Sequence, residues 1–572
     1  MGCQRTWCVA ACDRGRARSV TPDSVTRPPI RSSSVPGSLR TGPPQNVGAR
    51  GAKALPLRRL PLDYPQRPDF RDHGWVIGPQ HVVLVATDET AYPDQAPFDP
   101  SSRYPEYRFE TIAEGSNAVY GAVRQAFADA GLDQERFGTP GWNPLGSLMT
   151  SGEFVLVKPN LVKEAHPRDP DGWRYVLTHG SVIRAVVDFV FMAVGPTGRV
   201  AIADAPQTDS SFSKIVDVLG LDQLRGFYGA RGLDLELIDL RNEEWVSEKG
   251  VIVARHRLPG DPRGAIAFDL GNSSEFVGHR GTGRYYGADY DSRVVNDHHR
   301  DGHHQYLLSG SAMQADVVFS LPKLKTHKKA GVTLSMKNLI GVNADKNWLP
   351  HHSEGTPSTG GDEHPGASPH HRIERCGARA LRWLAVRLPT IGTRLLRVAR
   401  RVGTSVFGDT EEVVRSGNWW GNDTIWRTCL DLNKIVAYGQ PDGSLRPGQP
   451  EHRRRHLVLV DGIVAGQGNG PMNPDPLPAG VILFGTNPPS VDAAATVLMG
   501  FDPEKVPIVR QAFSCSSYPL SEWGWRDVHL VATDPARSGA LADVEVMATL
   551  QARPHFAWRG HIELEPRVPA DA

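Results

Sequence analysis

Lys323, Lys325, Thr326, His327, Lys328, Lys329, Lys337 and Asn338 fall within sixteen residues of one another, directly after the apolar run Val317, Val318, Phe319. The run reads as a buried strand with a turn at Pro322. Open α/β sheets bind ligands outside the carboxyl ends of their strands. Lysines grouped near backbone N–H groups favour anions there. Lys323 and Lys325 flank Leu324, so on a strand they share one face. Two ammonium groups so placed repel unless an anion bridges them or solvent separates them. A bridging phosphate or carboxylate is therefore the expectation; lysines exposed on a rim are the plainer alternative, and Lys328 and Lys329 read as surface. Lys337 and Asn338 lie about three helical turns further on if residues 331–340 are helical, and the Asn338 amide and the Thr326 hydroxyl can then meet a ligand oxygen.

The same design of strand, proline and lysine occurs at Lys158-Pro159-Asn160. Pro159 fixes φ and favours an extended Lys158, which puts Lys158 and Asn160 at a second strand end. His179 and His327 each follow a threonine near a strand end or helix start, and an imidazole titrating near neutrality suits general acid–base work. Lys158, His179, Lys323, Lys325, His327 and Lys337 are thus the catalytic candidates. Asp204 and Asp461 both close apolar strands, where a carboxylate holds a divalent metal or orients a lysine or histidine. Asp492 reads as the start of a helix, stabilised by its dipole. GQGNGP (466–471) lacks the lysine and the spacing of a phosphate loop, but Gly468 and Asn469 are candidates to bind a ligand through backbone N–H groups. His299 and His303 have the spacing of two zinc ligands on a helix, yet NDHHRDGHHQ (296–305) reads as loop.

Alternating elements must position these residues. Strands are expected near His81, at 154–157, 200–203, 235–240, 317–321, 457–460 and 481–484, and helices at 115–131, 181–193 (capped by Ser181 or Thr178), 212–219 and 491–499. The pattern predicts an α/β fold, a mostly parallel sheet with flanking helices. Residues 251–310 form a polar, histidine-rich middle region of short antiparallel strands. The expected organisation is a disordered segment 1–75, a first core part 78–345, an insertion 346–415, a second core part 416–535 and a tail 536–572. The insertion carries an arginine-rich arm, 375–402, with eight arginines among Trp383, Leu384 and Leu388.

Lys+Arg total 64 against Asp+Glu 63, so bulk attraction to nucleic acid or membrane is not implied, and any such attraction must come from a local patch. Six scattered cysteines do not make a disulfide scaffold, and no C-x₂-C-x₂-C run exists for an iron–sulfur cluster. A reducing cytoplasm is the expected compartment. No stretch reaches the roughly 18 apolar residues needed to span a bilayer. Arg58-Arg59 resembles a twin-arginine signal, but LPLDYPQRPDF behind it is not an apolar core, so export is not expected.

Several motifs carry a resemblance. LVKPNLV (156–162), Thr178-His179, VAIADAP (200–206), SLPKLKTH (320–327), TLSMKNLIG (333–341), DGIVAGQGNGP (461–471) and SVDAAATVLMG (490–500) occur in the order found in the DUF362 family. The chain resembles that family from about Val82 to Phe513. Lys346 with His351 or His352 resembles the family's lysine and downstream histidine. The family has no established function, and some members carry ferredoxin-like modules that this chain lacks. The resemblance implies a shared fold and site. The leading expectation is an enzyme acting on a phosphorylated or carboxylated small molecule, with a divalent metal as the candidate cofactor. A cofactor carrier or electron-transfer accessory is one alternative. A membrane-surface protein using residues 375–402 is the other.

Overall fold

The computed structural model describes residues 76–248, 251–287, 292–367, 413–543 and 550–565. All of them belong to one unit, Gln66–Ala572. The expected segment 1–75 and the arm 375–402 lie outside the described residues.

The main sheet contains β1 (His81–Ala86), β2 (Phe154–Pro159), β3 (Arg199–Asp204), β4 (Leu235–Asp239), β5 (Val317–Leu321), β6 (Lys323–His327), β7 (Gly331–Thr333), β8 (Arg455–Asn469), β9 (Asn473–Gly485), β10 (His529–Ala532) and β11 (Gly539–Ala540). Its order is β11-β10-β1-β9-β8-β5-β2-β3-β4, with β6 paired to β8 and β7 to β6. The run β8-β5-β2-β3-β4 is parallel throughout, whereas β9 runs antiparallel to both β1 and β8. Both faces are covered, which explains why β2 and β5 read as unbroken apolar stretches.

The two faces separate by residue parity, as a pleated strand requires. Val155, Val157, Val317, Phe319 and Leu459 pack with α1 (Ala118–Asp129) and α2 (Gly180–Val194). The alternate residues Val458, Val460 and Val82 pack with α4 (Ile425–Tyr438) and α5 (Pro488–Leu498). Apolar residues surround α2 on nearly every side, so it lies buried along its whole length. Its N-cap is His179, whose imidazole accepts the Ser181 N–H; neither expected hydroxyl caps it.

Two expected elements differ. Residues 331–340 do not form one helix: they comprise β7, the short α3 (Ser335–Asn338) and the first residues of the 3₁₀ turn Leu339–Val342. The glycine-rich stretch 466–469 is part of β8 and is paired with β9, rather than a loop after the strand. The reason is close packing. A Cβ on Gly466 would stand 2.9 Å from the Tyr175 carbonyl oxygen and 3.0 Å from Lys325 Cβ.

The strand does not simply end at Pro322. Proline has no N–H, so the ladder breaks there. The Pro322 carbonyl accepts the Asp461 N–H at 2.9 Å, and β6 resumes the pairing along β8 with Lys323 opposite Asp461. β2 stops at Pro159, level with Leu321, and β6 takes β7 as its other neighbour. The sheet therefore divides at its carboxyl edge, and the lysine-bearing residues sit at the division.

Candidate functional site

Register alone brings the first residues together. Ser320 lies beside Lys158 in the β5–β2 ladder, and Asp204 ends the neighbouring β3. Lys158 has no exposed surface. Its Nζ meets Asp204 Oδ1 at 2.9 Å, the Pro159 carbonyl at 2.7 Å and Asn338 Oδ1 at 3.1 Å. Asn338 in turn donates to the Lys158 carbonyl and to Ser320 Oγ. Gly341 makes this approach possible: a Cβ there would lie 1.9 Å from Asp204 Oδ1 and 2.9 Å from Lys158 Nζ. Burial pushes the Lys158 pKa down, and Asp204 opposes the shift.

Lys323 repeats the arrangement on the other side of the division. Its Nζ meets Asp461 Oδ2 at 3.0 Å and the Tyr92 hydroxyl, and that hydroxyl donates to Asp461 Oδ1 at 2.6 Å. Asp461 Oδ2 also accepts the His179 N–H at 2.9 Å. Burial lowers the Lys323 pKa against the pull of Asp461. The two candidate metal carboxylates therefore each face a lysine. Among the described residues, no cluster of His, Cys, Asp and Glu is arranged to hold a metal ion.

Lys325 and Lys337 are different. Lys325 is fully buried, and its Nζ donates to the Val176 carbonyl at 2.5 Å; among the described residues it has no carboxylate partner. Burial, followed by the charges of Lys323 and Lys337, drives its pKa well below the usual lysine value. Lys337, half-buried on α3, has no hydrogen-bond or ion-pair partner among the described residues, and burial lowers its pKa too. Three buried polar atoms nearby in sequence and register also lack partners: Thr333 Oγ1, Ser335 Oγ and Asn160 Oδ1. Thr333 stands directly opposite Lys325 in the β6–β7 ladder. The Asn160 side-chain amide donates to Asn338 Oδ1 at 3.3 Å. Buried polar groups are almost always satisfied, so these three atoms and the uncompensated lysines are exceptions among the described residues.

The imidazoles sort by which nitrogen is engaged. His179 Nδ1 accepts from Ser181 N–H, and its ring is stacked between Tyr92 and Trp173. His327 Nδ1 accepts the N–H groups of Lys329 and Ala330. Each neutral ring consequently carries its proton on Nε2 and offers a donor. Burial, then neighbouring cations, holds both pKa values well below the ordinary one. His351 has the opposite tautomer: Nδ1 faces the Leu349 carbonyl at 2.9 Å, which leaves Nε2 as an acceptor. Burial, then Lys329 and Lys337, brings its pKa down to about 3.

The remaining candidates have structural partners. Thr326 Oγ1 donates to the Gly468 carbonyl at 2.9 Å, while Gly468 has a φ of 75° and gives its N–H to the Arg553 carbonyl. Asn469 ends β8, opposite Asn473. Asp492 does not begin its helix. It lies inside α5, and its oxygens accept the Ser335 and Met336 N–H groups at 2.8 and 2.9 Å, which fixes α3 and hence Lys337. Burial pushes the Asp492 carboxyl up to about 7. The zinc spacing of His299 and His303 does not become a site: His299 Nε2 lies on the Trp348 carbonyl, while His303 pairs with Asp269.

Lys329, read as surface, is half-buried, with Nζ 3.2 Å from His352 Nδ1 and a pKa lowered to about 7 by burial and Lys328. Sequence reasoning missed Tyr92, Thr333 and Ser335. Tyr92 is 369 residues from Asp461, so no local pattern links them. Thr333 was findable, because a hairpin pairing of 323–327 with 331–333 sets it against Lys325.

Fold and site together define an α/β protein with lysines buried where the carboxyl edge of its sheet divides. Residues 259–497 match the model of the family described as Domain of unknown function (DUF362), so the chain carries a DUF362 domain over that stretch. No curated protein matches the chain. The matched stretch supplies β5 to β9 and α3, while Lys158, His179 and Asp204 come from the part before it.

Proposed function

We propose that the divided sheet edge binds a small anionic molecule, phosphorylated or carboxylated, and that the protein is an enzyme acting on it. The observation that carries this reading is Lys325: a lysine with no exposed surface, one backbone carbonyl as its partner and no carboxylate among the described residues. A buried cation without a counter-charge is costly, and an anion removes that cost. Lys325 and Lys337 supply the charge. The Nε2–H groups of His179 and His327 and the hydroxyls of Thr333 and Ser335 are the available donors. Fixed donors of this kind also stabilise negative charge that develops during a reaction. His351 presents an acceptor at Nε2, and burial with the charges of Lys329 and Lys337 keeps it neutral. Lys158, Lys323, Asp204 and Asp461 form the paired framework that holds the edge open. Cys429 and Cys515 are free thiols, which suits a cytoplasmic setting. Among the described residues no helix is long and apolar enough to cross a membrane.

The depressed Lys325 pKa favours a second reading of the same group, in which the neutral amine is a nucleophile toward a carbonyl substrate. A thermal-unfolding screen with phosphorylated and carboxylated metabolites tests the main reading. Anions of the right class raise the midpoint of the wild type and leave Lys325→Met unmoved. An unchanged response in Lys325→Met contradicts it.

A further inference from the structure

The lysines without a carboxylate partner at the divided sheet edge differ in burial. Lys325 is wholly buried at the floor. Lys337 and Lys329 each keep part of their surface exposed and form the rim. One hairpin sets this spacing. Lys325 pairs with Thr333 and His327 with Gly331, which puts Lys329 in the turn between β6 and β7. Its backbone N–H is held by His327 Nδ1 at 3.0 Å, and its Nζ reaches His352 Nδ1 at 3.2 Å. The charge of Lys337 acts on Lys325, His327, Lys329 and His351 alike.

The charges do not balance internally. Lys158 and Lys323 each have an aspartate. Among the described residues, Lys325, Lys329 and Lys337 have no ion-pair partner. Asp362 and Glu363 attract Lys329 only from a distance. Asp362 is itself engaged by the Ser353 N–H and Oγ, the Asp423 N–H and the Thr424 hydroxyl. One carboxylate brings a single negative charge against three lysines, and Lys329 lies in the turn of the hairpin whereas Lys325 lies in its strand, opposite Thr333.

Resting on the anion-site reading above, we infer that the ligand carries two anionic groups, one seated at Lys325 and Lys337 and the other at Lys329 on the rim. The partner is thus a diphosphate, a dicarboxylate or a molecule bearing one of each, rather than a simple monoanion. The rim group adds affinity through Lys329, and the floor group is the one every ligand needs.

Calorimetric titration of the full chain separates the two claims. Orthophosphate and pyrophosphate form one arm, acetate and succinate the other, each with wild type, Lys325→Met, Lys329→Met and Lys329→Gln. The expected result in at least one arm is a two-group ligand binding about tenfold or more tightly than its one-group counterpart, a difference of ~1.4 kcal/mol. Both Lys329 variants should reduce that preference to within about threefold and leave the one-group ligand unchanged, while Lys325→Met abolishes binding of both. Lys329 is half-buried and, among the described residues, outside any ion pair, so its variants are expected to fold, and their unfolding midpoints report on that. A preference that survives in both Lys329 variants, or none in the wild type, overturns the two-group inference and spares the anion site. Loss of the underlying reading looks different: no probe binds, or Lys325→Met binds as well as the wild type.

Discussion

Two regions of this protein are crowded with titratable side chains, and only one of them has the makings of a site. In the histidine-rich middle region the five imidazoles from His279 to His304 each have a partner. His279 Nδ1 meets the Tyr285 hydroxyl at 2.9 Å, His298 Nδ1 meets Gln305 Oε1 at 2.9 Å, His299 meets Trp348, His303 meets Asp269, and His304 Nδ1 lies 3.4 Å from His299 Nδ1. Phe276 packs against three of these rings and closes the cluster. At the divided sheet edge the opposite holds. Lys325, Lys337, Thr333, Ser335 and Asn160 are placed by backbone pairing and buried neighbours, yet charges and polar atoms there remain unmatched among the described residues. Density of ionisable residues is shared by both regions; what distinguishes a ligand site is polarity that the chain itself leaves unsatisfied.

The contrast can be broken from the framework side first, where the largest effect is expected. Asp461 is fully buried and takes donors from Lys323, Tyr92 and His179. Asp461→Asn leaves the Lys323 charge buried without a counter-ion and should cost about 3–5 kcal/mol, measured as a shift in the urea midpoint. A loss under about 1 kcal/mol would mean that the pair is not framework. Gly341→Ala comes next. The added methyl has no room beside Asp204 and Lys158, so a loss of about 3 kcal/mol is expected, within the range for overpacking and broken buried pairs.

The histidine region makes its own, smaller prediction. Burial lowers the pKa of His299 to about 3 and that of His304 to about 4. Above pH ~6.5 both imidazoles are neutral, folded or unfolded, and contribute nothing to pH dependence. As the pH falls below that value the unfolded chain takes up protons that the folded chain refuses, so stability drops by up to about 1.4 kcal/mol per pH unit for each histidine, down to the folded values. Unfolding of His304→Gln at pH 7 and pH 5 should show a shallower acid loss than the wild type. An identical loss would remove His304 from the account. The smallest expected effect has the opposite sign. Lys325→Met exchanges an uncompensated buried amine for an apolar chain of similar length and should stabilise the empty protein by about 1 kcal/mol, while removing its response to anions.

Much of the sheet was legible in the sequence because its strands are buried on both faces. Runs such as FVLV and VVFSL admit few other readings, and the proline–lysine steps after them mark strand ends. The lysine cluster was legible for the same reason. What escaped depends on distant partners. A strand that passes beyond Pro322 is visible only once β8 is known to run alongside, and Gly466 looks like part of a loop until Lys325 of β6 is seen pressing on it. Residues type-matched to a role also misled at the cap of α2. Threonine and serine were available, yet the imidazole of His179 reaches the Ser181 N–H, and that fixes its tautomer as a donor.

The most direct test of the central claim is proton uptake on ligand binding. Lys325 is held well below its ordinary pKa and Lys329 near 7 by burial and like charge, and an anion reverses both causes. Pyrophosphate titrated into the wild type at pH 8.5, in two buffers of different ionisation heat, should therefore show protons taken up from solution, and Lys325→Met should show no binding. Binding with no proton uptake, or binding that persists unchanged in Lys325→Met, would contradict the account.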